Sequence, residues 1–117
     1  MTEPLDPVLV VRALETMRLP LTSEGALQAA MAEALAERGM PFVREHRLSS
    51  GDIVDLFLDG VGVEVKIGGS KRGIYRQVRR YVAFDEIRAL VVATNVMVGL
   101  PLFDKPVCLV NLGRAWL

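Results

Sequence analysis

The chain has 117 residues, a hydrophobic fraction of 51%, and 14 Lys and Arg balancing 14 Asp and Glu. That is enough for one domain, 1–117, with one buried core. The single cysteine, Cys108, excludes an intramolecular disulfide, and with the lone His46 it excludes a zinc cluster of Cys and His ligands.

In chain order, Asp6 caps a short opening helix with Pro7 at its first position, and "VLVVRALETM" continues it until Leu19-Pro20, so that 1–20 reads as an N-terminal helical extension. Thr22 or Ser23 caps a second helix, whose stripe of Leu27, Ala30, Met31, Ala34 and Leu35 faces a core and which Gly39 stops. "FVREHRL", "DIVDLFL" and "VGVEVKI" read as strands, the last two joined by a two-residue hairpin turn at Asp59-Gly60. Gly68, Gly69 and Ser70 form a loop, and Ser70 caps the helix "KRGIYRQVRRYVAF". "ALVVATN" and "PVCLVNL" are apolar enough to be strands buried on both faces. The order α, α, β, β, β, α, β, β predicts an α/β sandwich around a mixed central sheet. No basic segment leads into an apolar run at the N-terminus, and no run of about 18 apolar residues occurs, which predicts a chain outside the membrane in a reducing, cytosolic compartment.

Two features of this layout carry chemistry. Counting outward from the hairpin turn, Leu58 faces Val61, Phe57 faces Gly62, Leu56 faces Val63 and Asp55 faces Glu64. Like charges directly opposed are destabilising, so a cation between them is expected. Mg²⁺, which prefers oxygen ligands and keeps several waters, fits two carboxylates and a backbone carbonyl. Lys66 lies two residues beyond Glu64, on the same face, placed to hold a phosphate or orient water. The alternative reading of "VEVKI" is a strand with one wet face. The second feature is charge: Lys66, Lys71, Arg72, Arg76, Arg79 and Arg80 fall within 65–84, a stretch with no acid. The neutral total therefore conceals a basic face.

Other residues have two readings each. Glu24 is either a helix-dipole acid worth about 0.3–1 kcal/mol or a member of the site. Gln77 and Tyr81, four apart, share a helical face, where Tyr81 is a core aromatic, a site residue, or both. The arginines form a solvated helix face or, in the absence of nearby acids, a phosphate-binding one. His46 reads as a polar strand residue and Trp116 as packing. Seven aromatics make a poor base-stacking platform, which points to backbone and shape recognition.

Asp55 followed by Glu64-Val65-Lys66 resembles the D and ExK of the PD-(D/E)XK nuclease superfamily, and Glu24 matches the acid that many members carry on the preceding helix. "QVRRY", Gln77 to Tyr81, resembles the QxxxY motif of its RecB-like branch. The element order is similar to that superfamily's restriction-endonuclease-like core, and the tail "NLGRAWL" and short length resemble small phage or prophage members. Val54 stands where the motif's proline would be. Asp52 is a second candidate for its aspartate, on the opposite face from Asp55.

The resemblance implies a nuclease that hydrolyses phosphodiester bonds with a metal-activated water. Asp55, Glu64, Glu24 and the Val65 carbonyl would bind Mg²⁺ or Mn²⁺, and Lys66 would support the nucleophile. Gln77 would act with Lys66, and Tyr81 would join Lys71, Arg72, Arg76, Arg79 and Arg80 on the nucleic acid. The substrate expected is DNA, with RNA as the other polymer, in the cytoplasm of a bacterial or phage-infected cell. A homo-oligomer is expected, because so short a chain has little surface with which to clamp a strand. The alternatives are a dimeric Holliday-junction-resolvase-like or nicking enzyme, and a nucleic-acid-binding module without chemistry.

Overall fold

Each helix start is set by a side chain that the sequence supplies. Asp6 accepts from the Val8 N–H at 3.0 Å, with Pro7 in the first turn, and α1 runs Pro7–Glu15. The Ser23 hydroxyl accepts from the Ala26 N–H at 3.0 Å and opens α2, Glu24–Glu37, beyond which Gly39 turns left-handed at φ 68°. Ser70 does the same for α3, Lys71–Val82, accepting from the Gly73 N–H at 2.9 Å. The computed structural model describes residues 3–16 and 23–113. The expected end of the opening helix at Leu19-Pro20, and Trp116, lie outside the described residues.

Five strands, β1 (Val43–Arg47), β2 (Ile53–Leu58), β3 (Val61–Lys66), β4 (Ala89–Thr94) and β5 (Val107–Asn111), form one mixed sheet in the order β1-β2-β3-β4-β5. The first three are antiparallel neighbours; β3–β4 and β4–β5 are parallel. The described residues thus form a mixed α/β fold of three helices on a five-stranded sheet. Residues Asp59 and Gly60 both have positive φ, 45° and 83°, as a two-residue hairpin turn requires. A Cβ on Gly60 would lie 2.5 Å from Arg88 Nε, so glycine is needed there on two grounds.

The sheet has two cores. Val10 and Leu14 of α1 and Leu27, Met31 and Leu35 of α2 pack on Leu56, Leu58, Val63, Val65 and Val91. On the other face, Ile74, Val78 and Tyr81 of α3 pack on Val54, Leu90 and Val92. Each buried Leu or Val contributes about 1.5–3 kcal/mol. All six residues of β4 are buried, as its composition predicts. Strand β5 departs from the expectation of burial on both faces: it lies at the edge of the sheet, with Leu109 and Asn111 exposed. No helix among the described residues is long and apolar enough to cross a membrane.

Strand β2 is irregular near its start. Strict alternation would put Val54 on the same face as Leu56 and Leu58, yet it packs with α3. The β1–β2 ladder skips Glu45 and Asp55, and Glu45 is left-handed at φ 52°. Space for the displaced Val54 comes from Gly62, where a Cβ would meet Val54 Cγ2, Ile87 Cδ1 and Leu90 Cδ1, each at 3.1 Å. The break in alternation falls at Asp55.

Candidate active site

The β2–β3 ladder pairs Leu58 with Val61, Phe57 with Gly62 and Leu56 with Val63, then stops one step short of Asp55 and Glu64. Beyond that step, side chains replace the ladder. The Asp55 N–H, left without a partner on β1, donates to Glu64 Oε1 at 3.2 Å. The Val65 N–H, which in a continued ladder would bond the Val54 carbonyl, donates to Asp55 Oδ2 at 2.7 Å. Each acid is thus held by the other's strand. In extended backbone the N–H and C=O of one residue point to the same side, so the Val65 carbonyl is presented on the side of Asp55.

Glu64 is buried, at 4% exposure, and Asp55 is half-buried. Burial, and then the adjacent Asp55, push the Glu64 carboxyl up to about 8. Burial also raises Asp55, against the Val65 hydrogen bond. With burial raising both carboxyl groups, the metal-free pair resists carrying two charges near neutral pH. The Lys66 ammonium is 3.6 Å from Glu64 Oε2.

Glu24, at the start of α2, reaches the same end of β3, where its Oε1 accepts from the Ile67 N–H at 3.1 Å. Its charge acts on Asp55. No three His, Cys, Asp or Glu side chains among the described residues are arranged as a ready-made metal set. Asp55 and Glu64 are adjacent, each acting on the other's carboxyl group. Sequence reasoning missed Asn95: its Oδ1 accepts from the Gly68 N–H at 2.8 Å, so that Glu24 and Asn95 fix the two successive amides after Lys66. The signal available was a polar residue ending an apolar strand that is parallel to, and in register with, the end of β3, where Lys66 lies beside the buried Thr94.

From Lys66 a cleft of about 400 Å³ runs between the glycine loop and α3, lined by Gly68, Gly69, Arg76, Gln77 and Arg80 among others. The arginines therefore divide. Arg76 and Arg80 line the cleft, while Lys71, Arg72 and Arg79 are exposed outside it. The expectation that these arginines lack acidic partners fails for Arg80, whose Nε donates to Asp52 Oδ1 at 2.6 Å. That hydrogen bond holds the Asp52 carboxyl below its ordinary range. Asp52 is thereby committed to α3, away from Asp55, because the β1–β2 turn carries it over the C-terminal half of the helix.

Gln77 Nε2 donates to the Tyr81 hydroxyl at 3.1 Å, which in turn donates to the Ile53 carbonyl at 3.0 Å. Tyr81 is core and site border at once: it is buried among Val54 and Val78, its hydroxyl pushed up by burial and then by the nearby Glu64. His46 stacks on Phe57 at 4.2 Å and meets Glu86 at 3.1 Å, as a polar strand residue should. A larger hollow of about 690 Å³, lined by Leu5, Met40, Phe42 and Phe57 among others, lies toward the turn end of the hairpin, far from this chemistry. No protein-family profile, curated protein or solved structure matches the chain.

Proposed function

We propose that the protein is a divalent-metal-dependent nuclease with a restriction-endonuclease-like core, hydrolysing phosphodiester bonds in DNA. The observation that carries this reading is charge at depth. Asp55 and Glu64 face each other in a site where burial disfavours both ionised forms, with Lys66 the cation paired with them. A sheet gains nothing from such a pair. A hard cation suits it, because Mg²⁺ is commonly held by one or two carboxylates together with waters and substrate phosphates. Asp55, Glu64 and the Val65 carbonyl would be its ligands, with Glu24 behind them bracing the end of β3. When bound, the cation would stabilise charge on the scissile phosphate and make water more acidic.

The chain's own groups account for the remaining work. Lys66 attracts the phosphate and orients the nucleophile beside Glu64. Gln77 and Tyr81 keep α3 fixed against β2, and the flank of Arg76 guides the nucleic-acid backbone along the cleft. Arg72 and Arg79 add charge outside it without reading sequence.

The test is incubation of the purified chain with labelled linear, nicked, single-stranded and four-way DNA, and with RNA, in Mg²⁺, Mn²⁺ or chelator. Metal-dependent cleavage that Glu64→Gln abolishes supports the reading; cleavage retained by Glu64→Gln, or indifferent to chelator, removes it. The absence of three convergent acids among the described residues favours a second reading, a nucleic-acid-binding module without chemistry. Metal-independent binding with no cleavage of any substrate would select it.

A further inference from the structure

The two edges of the sheet are built differently. On β1, Arg44, Glu45 and Arg47 supply charge, and the left-handed Glu45 interrupts pairing, both of which discourage another strand from adding there. On β5 the sequence Val-Cys-Leu-Val-Asn has no charge and no proline, and among the described residues its strand neighbour is β4 alone. From 89 to 113 the charged residues are Asp104 and Lys105, which cancel. Beside this edge, Met97, Leu102 and Leu109 are 78%, 101% and 38% exposed.

These apolar groups are arranged by position along β5. At its Asn111 end lies a hollow of about 100 Å³, lined by Val96, Met97, Val98 and Leu109 among others. Near its Val107 end the wholly exposed Leu102 borders a second hollow, of about 410 Å³, together with Val107 and Cys108. The 95–106 connection that bears Met97 and Leu102 packs on the α3 side of the sheet through Val96, Val98 and Phe103. A projecting side chain and a hollow thus lie toward opposite ends of one strand that is an edge among the described residues.

We infer that two copies of this chain associate through this edge, β5 pairing antiparallel with β5 of the second copy, so that five strands and five make one continuous sheet. Antiparallel pairing centred on Leu109 sets Val107 of one copy against Asn111 of the other and brings Leu102 to the second copy's hollow, twice over, as a two-fold contact requires. No like charges meet across the join. A second copy is the occupant that presents both the matching knob and the matching neutral edge, whereas a foreign strand finds no charge here to select it. The two-fold axis stands perpendicular to the sheet, so both α3 helices come to lie on the same face.

The inference does not depend on the nuclease reading, and its test is the mass of the full chain in solution by light scattering and sedimentation, from low micromolar to about 100 µM. The expected result is twice the 12.9 kDa chain mass. Leu102→Asp, at a side chain with nothing to lose from the fold, and Leu109→Lys should each weaken association by about 10- to 100-fold in Kd. The far-UV circular dichroism of both should be unchanged. A single-chain mass at about 100 µM overturns the inference, as does a dimer indifferent to both substitutions. So does a monomer that dimerises when residues 114–117 are removed, since the chain's own end would then be the occupant.

Discussion

Both ends of the β2–β3 hairpin carry acids, and the fold treats them in opposite ways. At the turn, Asp59 is exposed, accepts the Leu5 N–H at 2.8 Å and meets Arg88 at 3.5 Å, while the Arg88 guanidinium also binds the Asp59 and Leu5 carbonyls. Charge there is matched, wet and used to tie the start of the chain to the hairpin. At the open end, Glu64 is buried and Asp55 half-buried, the two set against each other beside Lys66. An acid that serves a scaffold is placed where its charge costs little, whereas one kept where its charge costs much marks a candidate site, as proposed above for Asp55 and Glu64.

The sharpest way to break this contrast is to neutralise each end by isosteric substitution. Asp55→Asn or Glu64→Gln should lower metal-dependent cleavage by more than about 100-fold, since loss of a ligand exceeds the 10–100-fold typical of a residue one layer out. Asp59→Asn should leave the rate within about twofold. Equal effects at the two ends, measured as initial cleavage rates at saturating Mg²⁺, would erase the distinction.

The buried end should also give stability a pH dependence of its own. Because folding raises the Glu64 carboxyl from 4.5 to about 8, the folded chain binds a proton in that window that the unfolded chain does not. Metal-free stability is therefore fully present below pH 4.5 as far as this group is concerned, and falls as pH rises toward about 8, with a slope approaching 1.4 kcal/mol per pH unit. Urea titrations across this range should show the decline, Glu64→Gln should flatten it, and millimolar Mg²⁺ should offset it at the alkaline end.

At the turn end, effects should be confined to stability. Arg88→Ala removes hydrogen bonds to two carbonyls and should cost about 1–2 kcal/mol in urea melts, with cleavage unchanged. The smallest effects belong to the outer arginines. Arg72→Ala and Arg79→Ala should each reduce the slope of log affinity against log salt by about 0.7–0.9 in DNA-binding titrations, without altering the cleavage rate of bound substrate. Arg80→Ala should change it less, because Asp52 already engages that guanidinium.

What the sequence made legible was what local chemistry decides. Asp59-Gly60 forms the expected turn, and that turn fixes the register from Leu58 and Val61 to Leu56 and Val63, one step short of Asp55 and Glu64. Asp6, Ser23, Ser70 and Gly39 likewise mark helix ends through bonds or conformations reached within a few residues. What could not be read depends on distant partners. Asp52 and Arg80 are 28 residues apart, and Asn95 meets Gly68 across 27. The shift of Val54 to the α3 face needs both a left-handed Glu45 and the gap at Gly62, neither of which alternation in β2 reveals. The apolar letters of β5 suggest burial equally well for an inner strand and for an edge that meets another chain.

The order of strands in the sheet is their order in the chain, and this bears on how the site assembles in time. β2 and β3 close over two residues, whereas β3 and β4 must wait for everything from Ile67 to Arg88. Hairpins form in about 1–10 µs, and closure slows as the intervening chain lengthens. If this short closure comes first, Asp55 and Glu64 meet before α3 and β4 bury them. The refolding rate is then expected to be highest in acid, where both side chains are neutral, and to fall as they ionise, which stopped-flow refolding across pH measures.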